Sequence, residues 1–194
     1  MGNEYYKFSD KMSPEHNVKL AFTRMLAGQM DYTPGGFKNV TKEQFKQQTP
    51  ALVWNTRAAE LSKFVIYESP LTVVCDHPDN ILNQAGADFL KIVPTIWDDI
   101  KFLGGYPGEY VAIAKRKGDI WFMGVMNNSV GKSVEIKLDF LPAGNYTIEM
   151  WADTKNSDKE PTDLKKSEKA VKAGDKIKVT MAMNGGFVAV IRQQ

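Results

Sequence analysis

The feature that most constrains this chain is the alternation running through its second half. Val134-Glu135-Ile136-Lys137-Leu138, Tyr146-Thr147-Ile148-Glu149-Met150-Trp151-Ala152 and Lys176-Ile177-Lys178-Val179-Thr180-Met181 place apolar side chains at every second position. Neighbouring side chains of a strand point to opposite faces, so each segment predicts a strand with one buried and one wet face. Tyr110-Val111-Ala112-Ile113-Ala114 and Ile120-Trp121-Phe122-Met123-Gly124-Val125-Met126 are strand-like across Lys117-Gly118-Asp119, a hairpin signal. Gly185-Gly186 then leads into Phe187-Val188-Ala189-Val190-Ile191, a more fully buried closing strand. Short strands separated by turns predict an antiparallel sandwich. Residues 155–169 are highly charged and contain Pro161, which predicts an exposed connection.

Before Pro94 the spacing is helical. Ser13 can cap a helix with Pro14 in its first turn, Val18, Phe22 and Met25 share a face, and Gly28 is a stop. Met30-Asp31-Tyr32 is expected to be one short buried strand, closed by Thr33-Pro34-Gly35-Gly36. A second helix is expected from the cap Thr49 with Pro50, burying Trp54, Ala58, Leu61 and Val65 along one face. Pro70 ends or kinks it, with residues 71–75 as a possible continuation along the core. Asp76-His77-Pro78 reads as a break, and residues 85–93 as a short helix. The order helix, short strand, helix, then many strands predicts an α+β chain of two units, residues 1–94 and 95–194. The first unit is too small to close a barrel of roughly 250 residues, so its apolar helix faces would be exposed unless something covers them.

Several functions are disfavoured at once. A net charge of +2 with interspersed signs gives no footprint for nucleic acid. No apolar run approaches the roughly 20 residues of a membrane span, and Met1-Gly2-Asn3-Glu4 has no signal-peptide pattern. The single Cys75 makes no intrachain disulfide, and no Cys/His cluster, Gly-rich phosphate loop or GxSxG elbow is present.

Gly2-Asn3-Glu4-Tyr5, Ser13-Pro14-Glu15-His16-Asn17 and the stretch Ala21-Phe22-Thr23-Arg24-Met25-Leu26-Ala27-Gly28-Gln29-Met30-Asp31-Tyr32-Thr33-Pro34-Gly35-Gly36-Phe37 together resemble glycoside hydrolase family 97. The resemblance continues in order through Val65-Ile66-Tyr67-Glu68-Ser69-Pro70-Leu71, Gly105-Tyr106-Pro107-Gly108-Glu109-Tyr110, Gly118-Asp119-Ile120-Trp121-Phe122-Met123-Gly124 and Phe140-Leu141-Pro142-Ala143-Gly144. It implies the end of a catalytic (β/α)8 barrel, residues 1–94, followed by an antiparallel β-sandwich, with the N-terminal part of the same protein missing. It also implies an exo-acting hydrolase of α-linked glucosides or galactosides, associated with calcium and located in the periplasm or outside the cell. A homo-oligomer is a further possible partner arrangement.

Candidate site residues follow from that resemblance and from local context. Taken alone, Glu4 reads as a solvated residue near a terminus. Within the family pattern it becomes the general acid and a calcium ligand, because glycoside hydrolysis needs a protonated carboxyl beside the leaving oxygen. Asp31 follows the expected strand and is a candidate for a sugar hydroxyl, or else holds the Thr33-Pro34-Gly35-Gly36 turn. His16, near a helix start, is a candidate substrate-binding residue, with a structural hydrogen bond as the alternative. Glu68 reads as structural. Trp97, Trp121 and Trp151 raise the question of sugar-stacking platforms, and the alternating patterns assign Trp121 and Trp151 to the core. With the opposing carboxylate outside these residues, the isolated chain is expected to be inactive. The rival reading is a non-catalytic β-domain serving as an interdomain brace, an oligomer contact or a carbohydrate-binding module.

Overall fold

The computed structural model describes residues 2–194. Among them β1 (Asp99–Tyr106), β2 (Tyr110–Lys117), β3 (Ile120–Asn127), β5 (Asn145–Asp153), β6 (Leu164–Lys172) and β8 (Gly186–Gln193) form an antiparallel sheet in the order β1-β2-β3-β8-β5-β6. A second antiparallel sheet pairs β4 (Lys132–Lys137) with β7 (Lys176–Met181). The fold is mostly antiparallel sheet with few helices: α1 (Pro14–Phe22), α2 (Arg57–Ile66) and the single turns α3 (Pro78–Ile81) and α4 (Ala87–Leu90).

The large sheet is covered on both faces, which explains why β3 and β8 read as near-continuous apolar runs. On one face Met123, Val125, Ile148, Ala189 and Ile191 pack with Ile136, Ile177 and Val179 of the small sheet. On the other face Phe122, Val188 and Val190 pack with Leu61 and Val65 of α2 and with Phe89 of α4. The approach of α2 is close enough that a Cβ on Gly186 would stand 2.5 Å from the Ala59 Cα, so only glycine permits it.

The helical segment therefore shares its core with the sheet, and the expected exposure of α2 does not occur. Nine of its ten residues are buried. Exposed apolar residues do remain at Phe8, Leu26, Leu71 and Val73. The chain changes from helical turns to strand between Leu90 and Asp99, on either side of Pro94.

Four local expectations are corrected. Residues 30–32 form no strand. Met30 N–H donates to the Glu68 carbonyl at 2.9 Å, Asn3 N–H to Thr33 at 3.0 Å and Cys75 N–H to Pro34 at 2.8 Å, so three different segments bond singly to the backbone of residues 30–34. Helix α2 starts seven residues after Thr49, at the cap Thr56, whose hydroxyl accepts from the Ala59 N–H. Residues upstream are held instead by a parallel bridge between Asn39 and Val53, so Trp54 lies outside the helix. Residues 71–75 do not continue α2, which ends at Ile66, and Leu71 is 78% exposed. Finally, residues 164–169 belong to β6 rather than to a connection. Its lysines and glutamate line the outer edge of the sheet, where charge discourages pairing with another chain.

Candidate active site

Glu4 lies on a short 3₁₀ turn, Asn3–Lys7, and its side chain is exposed. Gly2, just before the turn, is pressed against Thr33, and a Cβ there would come within 1.9 Å of the Thr33 hydroxyl oxygen. The anchor is Asn3, fully buried. Its Nδ2 donates to Glu60, and its Oδ1 accepts from Lys63 Nζ and from the Tyr32 hydroxyl, each at 3.1 Å.

Glu60 organises this cluster from the inner side of α2. Its carboxylate pairs with Lys63 and accepts from the Asn55 side chain and from the Gly35 and Gly36 N–H groups at 3.0 and 3.3 Å. Both charges of the pair are essentially inaccessible to water, so only complete partnering makes their burial tolerable. Burial, reinforced by the Glu60 charge, pushes the phenols of Tyr6, Tyr32 and Tyr67 well above their ordinary range and keeps them neutral donors. Tyr32 and Tyr67 meet edge to face at 4.6 Å. The Tyr67 hydroxyl donates to the Asn17 carbonyl at 2.8 Å, which ties the start of α1 to the same cluster.

Two further buried cations extend the network. Arg57 donates to Asn39 Oδ1 at 2.6 Å, to the Phe37 carbonyl at 2.7 Å and to the Ala85 carbonyl at 2.9 Å. Burial pulls it down to about 10, opposed by Glu60 and Asp76, so it stays charged at neutral pH. Lys115 on β2 pairs with Glu68 at 2.6 Å and donates to the Tyr67 carbonyl at 3.0 Å, giving Glu68 the structural role expected of it.

The exposed Glu4 lines a cleft of about 570 Å³, together with Lys7, Lys38, Cys75, Asp76 and His77. Burial and the Glu60 charge push the Cys75 thiol up to about 12, so it is no nucleophile. Asp31 and His16 share a different depression, of about 380 Å³, with Arg24 and Met30. Burial, then the charges of Lys19 and Lys63, lower the His16 pKa and leave it a neutral imidazole at pH 7. The structure thus brings Asp31 and His16 together and places Glu4 in a different cleft. Trp121 and Trp151 are buried at 4% and 1% exposure, as the alternation required.

Calcium binds six to eight oxygens. Among the described residues no three His, Cys, Asp or Glu side chains converge to hold a metal ion, so these residues do not by themselves fit calcium. No chemical step is derived through it. The residues that sequence reasoning missed are Asn3, Arg57, Glu60 and Lys63. The spacing Arg57-x-x-Glu60-x-x-Lys63 was a usable signal, since charges three apart on a helix stack over one another.

The fold recurs in a solved β-arabinopyranosidase (TM-score 0.79, 22% identity, covering 97% of this chain and 30% of that one). A family model described as "Glycosyl-hydrolase 97 C-terminal, oligomerisation" matches residues 96–192, and the chain belongs to glycoside hydrolase family 97. It is 31% identical over 180 residues to a retaining alpha-galactosidase of Bacteroides thetaiotaomicron, covering 92% of this chain and 27% of that protein. A family 97 enzyme of Pseudoalteromonas sp. strain K8, solved with acarbose, superposes with a TM-score of 0.88 at 31% identity, covering 100% of this chain and 31% of that one. The chain thus spans under a third of the length of these relatives.

Proposed function

We propose that the protein containing this chain is an exo-acting glycoside hydrolase of α-glucosidic or α-galactosidic bonds, with Glu4 as its general acid. The observation that carries this reading is the placement of Glu4. An exposed carboxylate at the edge of an open cleft stands next to Asn3, which a buried charge network fixes by backbone and side chain. Glu4 donates its proton to the glycosidic oxygen as the bond to the anomeric carbon breaks. The bonding electron pair goes to that oxygen, and the leaving sugar departs as a neutral alcohol. In the retaining course named for the Bacteroides relative, a second carboxylate outside these residues is the nucleophile, and Glu4 then deprotonates the incoming water. Residues 1–94 serve as the end of the (β/α)8 barrel and residues 95–194 as its C-terminal sandwich. Asp31 and neutral His16 contact sugar hydroxyls in their own depression. Calcium is assigned to Glu4 together with ligands outside this chain, and the enzyme to the periplasm or the extracellular space.

For residues 95–194 taken alone, a second reading has its own support. The matched family description includes oligomerisation, and two of the candidate stacking platforms, Trp121 and Trp151, are buried, while Phe102 and Tyr106 on β1 stay exposed. Homo-oligomer contact is the role the family description supports, with bracing of the helical segment beside it.

The test of Glu4 is a leaving-group series. In the full-length enzyme, Glu4→Gln should lower kcat/KM by about 10²–10⁴-fold for sugar leaving groups and far less for activated aryl glycosides, which need little protonation. An equal loss across the series would remove the acid assignment. The isolated 194 residues should hydrolyse neither p-nitrophenyl α-glucoside nor p-nitrophenyl α-galactoside, with or without calcium.

A further inference from the structure

Two lysines line the cleft beside Glu4. Neither the Lys7 nor the Lys38 side chain makes a hydrogen bond or ion pair among the described residues. Both side chains are half-buried, so their ammonium groups are confined near the cleft.

Lys38 is also held unusually well by its backbone. Its carbonyl accepts from the Val53 N–H at 3.1 Å. On one side Phe37 donates its N–H to Asp76 Oδ2 at 2.8 Å and accepts from Arg57 Nη2 at 2.7 Å. On the other side Asn39 Oδ1 accepts from Arg57 Nε at 2.6 Å. The opposite wall is tied to the same carboxylate, because Asp76 Oδ1 accepts from the His77 N–H at 2.8 Å and from Asn80 Nδ2 at 2.6 Å. Asp76 therefore fixes the separation of the two walls, and a rigid segment presents a lysine with three N–H donors to spend on a ligand.

The lining selects a chemical class. Glu4, Asp76 and Asp79 line the same cleft as Lys7 and Lys38, so the fixed charges nearly cancel and no strongly ionic ligand is favoured. Among the described residues no Phe, Tyr or Trp lines the cleft, so this wall recognises a ligand by hydrogen bonds rather than by ring stacking. A neutral ligand rich in hydroxyl oxygens meets those terms. We propose that this cleft is the leaving-group subsite, and that Lys38, with Lys7, donates hydrogen bonds to hydroxyls of the departing sugar. The inference rests on Glu4 as general acid. The oxygen that takes the Glu4 proton belongs to the leaving sugar, which must lie against Glu4, and among the described clefts this is the one Glu4 lines.

The experiment compares two substrates of the full-length enzyme with the same glycone: an α-linked disaccharide, and the α-glycosyl fluoride whose leaving group is too small to reach Lys38. Lys38→Met keeps the length of the side chain and removes its donors. It should lower kcat/KM for the disaccharide at least tenfold more than for the fluoride, the scale of a hydrogen bond to a charged group. Lys38→Arg should recover part of that difference, and Lys7→Met should shift the ratio in the same direction. Loss by the same factor on both substrates, or no change on either, would overturn the assignment. Glu4→Gln measured in parallel separates the two claims. A selective loss on the disaccharide upholds the acid whatever Lys38 does, and an equal loss on both substrates removes the acid while the Lys38 ratio is still read.

Discussion

The two faces of the six-stranded sheet are held by different physics. Toward β4 and β7 the contact is made by aliphatic and aromatic side chains such as Met123, Ile148, Leu138 and Ile177. Toward α2 an apolar seam of Leu61 and Val65 is flanked by four buried charges, Arg57, Glu60, Lys63 and Lys115. An apolar face needs only filled volume, whereas a buried charge is tolerated only when every partner is in place. The first face supplies stability that many sequences of similar volume would supply. The second fixes the relative positions of Asn3, Gly35, Gly36 and Tyr32, and so the turn that carries Glu4.

Removing one member of the polar cluster should therefore cost more than removing apolar bulk. Glu60→Ala strands the Lys63 ammonium with the Asn3, Asn55, Gly35 and Gly36 donors. It should destabilise the chain by about 3–5 kcal/mol in a denaturant titration. Leu138→Ala, at a fully buried position on the opposite face, should cost about 3 kcal/mol, the usual range for a core cavity. A Leu138 effect clearly exceeding that of Glu60 would invert the comparison.

Asp153, at the end of β5, joins the two faces and makes a pH-dependent contribution. Its Oδ2 accepts from the Ala182 and Gly186 N–H groups at 3.0 and 2.8 Å. Burial raises it from 3.8 to about 6, against the hydrogen bonds of Thr56, Gly186 and Ala182. Between those values the folded chain holds a proton that the unfolded chain releases, so stability falls as pH rises through the window, by no more than about 3 kcal/mol. Asp153→Asn cannot titrate, and its stability relative to the parent should grow from pH 4 to pH 6. A constant difference across that window would refute the shift.

The smallest effect belongs to the charged edge. Lys166 on β6 pairs with Asp88 at 2.5 Å and Glu149 at 2.7 Å but is half exposed, so Lys166→Ala should cost less than about 1 kcal/mol. A loss above about 2 kcal/mol would show that ion pairs at the sheet edge carry stability as well as those under α2.

Legibility in the sequence followed the same division. Alternation exposed the sandwich because a half-wet strand repeats every two residues, and the Gly118-Asp119 hairpin carried its own turn chemistry. The start of α2 was misplaced because Thr49-Pro50 has the local form of a cap, while the pairing of Val53 with Lys38 and Val40 holds residues 51–54 extended. The expected strand at residues 30–32 failed for a similar reason: the backbone of residues 30–34 bonds to three separate segments, and no local pattern records that. Glu4 is a candidate only through its family setting. Asn3 and Glu60 lie 57 positions apart, so the contact that fixes the site leaves no periodic trace.

The most direct test of the central claim, that the polar face of the sheet positions Glu4, is the selectivity of Tyr32→Phe in the full-length enzyme. The substitution deletes one buried hydroxyl that donates to Asn3 at 3.1 Å and leaves the Lys63 contact to Asn3 in place. Stability should fall by only about 1 kcal/mol. The ratio of kcat/KM for an α-linked disaccharide to that for the matching glycosyl fluoride should drop by about tenfold, because only the disaccharide depends on accurate proton delivery. An unchanged ratio would contradict the account and reduce the buried network to a stabilising role.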